Sequence, residues 1–131
     1  MKIKKEIRES IIAHAQKGMP IEMCGYLAGQ DGVITKHYEL TNIDNSPEHF
    51  SFDPKEQFVT IKDARTNGLK VYAVYHSHPE TPARPSEEDI KLAYDPTISY
   101  VIVSLAADEP DVKSFKIKDS AVAPEEIEIV E

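Results

Sequence analysis

In the segment HSHPETPARPSEED, residues 76 to 89, two histidines close an apolar run and a serine and an aspartate follow beyond a proline-rich loop. On a strand, residues two apart share a face, so His76 and His78 project together while Ser77 points away. Two imidazoles aimed at one point are metal-ligand chemistry. Ser86 suits the N-cap of a helix, and Asp89, three residues on, is turned back toward the end of the strand. Two histidines and one aspartate with a fourth position open make the ligand count of a catalytic rather than a structural zinc. Each part also has an ordinary reading: a lone histidine is more often a satisfied core or surface residue, and Ser-x-x-Asp resembles a capping box. The conjunction is what points to a metal.

Positioning these groups requires a strand, a stiff loop and a helix. LKVYAVYH is continuously apolar or aromatic from Val71 to Tyr75, as expected of a central strand covered on both faces. Pro79 marks its end, and three prolines in PETPARP restrict the loop that carries the chain to the helix beginning near Ser86. Upstream, KKEIRESIIAHAQK places Ile7, Ile11 and Ala15 on one helix face, ended by Gly18 and Pro20. IEMCGYLAG and VITKHYEL flank a hairpin turn at Gly29 to Gly32, HFSFD reads as a short strand, and Pro54 opens a helix reaching about Asn67-Gly68. ISYVIVSL, VKSFKIK and IEIVE complete the strands. The expected fold is α/β, one domain over residues 1–131 with a mixed β-sheet packed between helices.

Composition narrows the chemistry. The net charge of −8 makes nucleic acid an unlikely partner, and no apolar run approaches the ~18 residues of a membrane span. MKIKKEIRES lacks the apolar core of a secretion signal, so the cytoplasm is the expected compartment. Cys24 is the only cysteine, which excludes an internal disulfide and any zinc site needing two thiolates. Its default role is a small buried apolar residue, and no local pattern supports a catalytic thiol. His14, His37 and His49 read as structural. Glu80, Glu87 and Glu88 crowd the site, and Arg84 reads as a solvated loop charge, with pairing to a substrate carboxylate as the alternative.

HSHP followed by PSEED resembles the signature of the JAMM, or MPN-plus, metalloprotease family, short prokaryotic type, whose fold is cytidine-deaminase-like. The resemblance extends through FSFDPKEQF and SYVIVSL, covering about residues 5 to 118. It implies His76, His78 and Asp89 as ligands of one zinc ion, with a water as nucleophile at near-neutral pH. It also implies Glu22, in IEMCGYLAG, as general base and Ser86 as donor to the oxyanion. The implied substrate is a ubiquitin-like sulfur carrier protein, cut at a peptide or isopeptide bond at its C-terminus. The main rival is a non-catalytic MPN scaffold that binds partners. A zinc deaminase needs H-x-E and P-C-x-x-C, which one cysteine cannot supply.

Overall fold

The computed structural model describes all 131 residues. The chain runs β1 (Lys2–Lys4), α1 (Lys5–Gly18), β2 (Cys24–Gln30), β3 (Val33–Leu40), α2 (Pro54–Thr66), β4 (Lys70–His78), α3 (Glu87–Lys91), β5 (Ser99–Ser104), β6 (Asp111–Lys118), β7 (Ala121–Glu125) and β8 (Glu128–Val130). All eight strands form one mixed sheet in the order β7-β6-β5-β4-β2-β3-β1-β8. β4 lies at its centre, antiparallel to β2 and parallel to β5. β7 and β8 sit on opposite edges of the sheet, although the chain passes from Glu125 to Glu128 between them. Three Cα steps reach at most about 11 Å. Eight strands laid flat span roughly 33 Å, so the sheet must curl until its edges approach.

Each face of β4 is covered by different elements. Ile7, Ile11 and Ala15 of α1 pack with Leu27, Ala73, Tyr75, Val101 and Val103 to form the main core. Gly25 is obligatory in this layer, because a Cβ there collides with the Tyr38 carbonyl and the Tyr75 ring. Tyr26, one residue out of phase with Leu27, faces the other way and accepts a hydrogen bond from Gln57 of α2 at 3.0 Å. On that same side Ala83, Ile102, Phe115 and Ile117 form a second cluster, joined by Ile90 of α3. This cluster seats α3 and the proline loop beside the end of β4. No helix is long and apolar enough to cross a membrane.

The elements follow the sequence pattern with three departures. HFSFD is not a strand; a single bridge between Asn42 and Phe52 is all that forms, because the Asn42 side chain takes up backbone groups that a ladder needs. β1 is a strand that the sequence pattern does not show, since three residues with one buried isoleucine are too short for a period. β7 is likewise without a sequence signal, because it is largely exposed and contains Pro124, which an edge strand tolerates.

Candidate metal centre

The end of β4 is held on all sides before any ligand is considered. His76 pairs in register with Cys24 of β2, and His78 with Ser104 of β5. Ser77, on the opposite face, accepts the Met23 N–H through Oγ at 2.8 Å and donates its own N–H to the Met23 carbonyl at 2.9 Å. Both histidines are nearly buried, at 5% and 4% exposure. His78 Nδ1 lies 2.9 Å from the Pro82 carbonyl, which can only accept, so Nδ1 carries a proton and Nε2 is the nitrogen turned to Asp89, donating to it when protonated and offering a lone pair to a metal when not. The Phe50 ring stacks on His76 at 4.7 Å between centroids.

Asp89 reaches the histidines through local helix chemistry. Ser86 Oγ accepts the Asp89 N–H at 3.0 Å, and Asp89 Oδ2 accepts the Ser86 N–H at 2.9 Å, a complete capping box. The same Oδ2 lies 3.2 Å from His76 Nε2 and 3.1 Å from His78 Nε2, and the two Nε2 atoms are 3.0 Å apart. Burial alone raises the Asp89 pKa, but hydrogen bonds from His76 and His78 outweigh it and hold the carboxyl well below the usual range. Burial likewise pulls His78 down, and its bonds to Asp89 and the Pro82 carbonyl reverse the direction. Once the Nε2 protons are released, three electron-pair donors meet here and need a positive partner. A divalent cation would supply it, and no other trio of His, Cys, Asp or Glu in the chain converges this way.

Glu22 precedes β2 and is 3% exposed. Its Oε1 is buried with no hydrogen-bond partner. Burial, reinforced by Asp89, Glu88 and Glu48 and opposed by His78, pushes its pKa up to about 8. A buried carboxylate without a partner costs stability, and strongly perturbed groups of this kind cluster at functional sites. Ser86 is exposed, and its hydroxyl proton remains available while Oγ accepts from Asp89.

Two histidines and a carboxylate are a donor set that suits a hydrolytic metal site. The description "Prokaryotic homologs of the JAB domain" matches residues 4–118. The chain belongs to the prokaryotic JAB family. The CysO-cysteine peptidase of Mycobacterium tuberculosis is 34% identical over 98% of this chain and 90% of its own length. A protein of Desulfitobacterium hafniense with a known solution structure is 48% identical, covers 99% of this chain and 92% of its own, and superposes with a TM-score of 0.91. A structure described as a JAMM metalloprotease-like zinc site in the proteasome and signalosome is 27% identical, with a TM-score of 0.67 over 100% of this chain and 98% of its own. Within this JAB domain, His76, His78 and Asp89 form a candidate metal-binding group, with Ser86 bonded to Asp89 and Glu22 under the charges of His78 and Asp89.

The remaining candidates fall away from the centre. Cys24 is fully buried and burial pushes its thiol up to about 12, so it packs as an apolar residue. His14 contacts Tyr75, His37 contacts Glu39 and His49 contacts Asp44. Arg84 is exposed, and Glu88 lines the cleft. Sequence reasoning missed the Pro82 carbonyl, the Ser77 hydroxyl, Phe50 and Asn42. None of these carries a signal readable without the fold, because each acts through a contact distant in the chain or through a main-chain atom.

Proposed function

We propose that this chain is a zinc-dependent peptidase that hydrolyses a peptide or isopeptide bond at the C-terminus of a ubiquitin-like sulfur carrier protein. The observation that carries this reading is the meeting of two imidazole nitrogens and one carboxylate oxygen beside a buried, unpartnered Glu22. His76, His78 and Asp89 would hold the metal, which when bound would polarise a carbonyl and make water nucleophilic near pH 7. Glu22 takes the proton of the attacking water and returns it to the leaving amine. Ser86, held at the helix start by Asp89, donates its free hydroxyl proton to the developing oxyanion.

The substrate tail fits what surrounds these groups. A cleft of about 320 Å³ opens at His76 and Asp89 and is walled by Phe50, Phe52, Leu92 and Tyr94. The apolar walls suit an apolar side chain of an extended C-terminal tail lying across the ligands. The M. tuberculosis relative, named for a CysO-cysteine bond, supports a carrier of this kind.

A scaffold role leaves Glu22 unexplained, since binding a partner gives no reason to bury a carboxylate without a hydrogen bond. The test is to incubate the protein with sulfur carriers bearing C-terminal extensions, single attached amino acids or lysine conjugates, and to follow mass. Shortening that stops with chelator and with Glu22→Gln is expected. If protein carrying one zinc per chain leaves all three classes intact, the scaffold reading replaces this one.

A further inference from the structure

Asn42 follows β3 and is 7% exposed. Its side chain bonds at every available position. Nδ2 donates to the carbonyls of Glu22 and His49, both at 3.0 Å, and at 3.5 Å to that of Ser46. Oδ1 accepts the N–H groups of Asp44 at 3.0 Å and Ser51 at 3.3 Å. An amide has two donor hydrogens and two acceptor lone pairs, so this one is fully used. The loop it organises bonds back: the Ser46 carbonyl accepts the Glu22 N–H at 2.9 Å.

Both backbone groups of Glu22 are therefore bonded to the 42–52 loop. Its buried Oε1, by contrast, is anchored by nothing. A side chain without its own hydrogen bond at that atom takes its aim from the backbone that carries it. The same loop carries Phe50, whose ring lies on His76, and Phe52, whose ring lies 5.1 Å from Tyr26.

We propose that Asn42 is a positioning residue, whose side-chain amide aims the Glu22 carboxylate at the metal ligands by clamping the Glu22 backbone to the 42–52 loop. The proposal rests on the general-base role given to Glu22 above. A residue that merely orders the loop makes a useful contrast, and Asp44 is one. Its Oδ2 accepts from Ser51 Oγ at 2.7 Å and from His49 Nδ1 at 3.0 Å, and it has no hydrogen bond to Glu22.

The experiment compares Asn42→Asp, Asn42→Ala and Asp44→Asn in the zinc-loaded full chain on whichever carrier the wild type cleaves. Asn42→Asp keeps the size and the acceptor oxygen and removes the donor that Glu22 needs. Turnover is expressed per folded, zinc-bearing chain, so partial unfolding lowers yield and leaves kcat untouched. Either Asn42 variant is sufficient if the other does not fold. Expected are a fall in kcat of about 10- to 100-fold, as for small misplacements of a catalytic group, with KM within about threefold and zinc content unchanged. Asp44→Asn keeps kcat within about twofold. An Asn42 variant with wild-type kcat overturns the proposal, as does an equal loss in Asp44→Asn, which assigns the effect to loop order. Wild-type turnover in Glu22→Gln instead overturns the general-base reading itself; an inactive Glu22→Gln beside a fully active Asn42 variant overturns only the role of Asn42.

Discussion

On β3, His37 and Glu39 share a face as His76 and His78 do on β4, and His14 approaches them from α1 as Asp89 approaches from α3. Residue types and spacings are alike in the two clusters. In the first, His37 lies 3.2 Å from one oxygen of Glu39 and His14 lies 3.9 Å from the other, so the contacts spread over a half-exposed carboxylate. In the second, both imidazoles meet one oxygen of a nearly buried aspartate. Strand spacing brings two side chains to one face, and only a third element with a locked geometry makes them converge. The capping box of α3 provides that lock; Glu39, on an open strand face, has none. Pairs made to a half-exposed carboxylate such as Glu39 are screened and contribute little.

The sharpest way to break the comparison is to remove one donor from each cluster. His78→Ala is expected to abolish zinc binding and activity and to erase the difference in melting temperature with and without chelator, because a metal held only by the folded state stabilises it. His37→Ala should retain about one zinc per chain and normal turnover. Elemental mass spectrometry on both proteins decides it; zinc lost from His37→Ala would mean that the two clusters are not distinct in kind.

Next in size is Glu22→Gln. Turnover is expected to fall by about 10²- to 10⁴-fold with zinc retained, the range of general acid–base catalysis. Ser86→Ala combines two losses, a cap worth about 1 kcal/mol of stability and an oxyanion donor worth ~2.7 to 4 kcal/mol in kcat. A melting temperature that drops while kcat per zinc-bearing chain holds steady would assign Ser86 to capping alone.

The smallest effect concerns pH in the metal-free protein. Glu22 has a folded pKa of about 8, above its ordinary value of 4.5, so between those values the folded state retains a proton that the unfolded chain has released. Stability therefore falls as pH rises through this window, and the full penalty is present above pH 8. Glu22→Gln should raise the melting temperature of chelated protein most above pH 8 and hardly at all below pH 4.5. An equal gain at both ends would show that the buried charge is not the cause.

Much of this was legible in the chain. The continuous apolar run from Val71 to Tyr75 marks a strand covered on both faces, and alternation puts His76 and His78 together wherever that strand lies. Ser86 and Asp89 declare a helix start by local hydrogen bonding that needs no distant partner. β1, β7 and the irregular 42–52 loop were not readable, since their conformation depends on what they pair with. Glu22 was reached only through resemblance to a family. Nothing in its neighbours distinguishes it from a solvated charge.

Which side chains can serve as ligands is written locally in the chain, because period-2 geometry and helix capping act over a few residues. The tertiary structure alone decided that they converge, through the cluster of Ala83, Ile102 and Ile90 that seats α3 against the end of β4. It also decided that Glu22 is buried, unpartnered and held by Asn42, twenty residues away in sequence. Burial and long-range hydrogen bonds belong to the assembled sheet. No short segment of the chain can encode them alone.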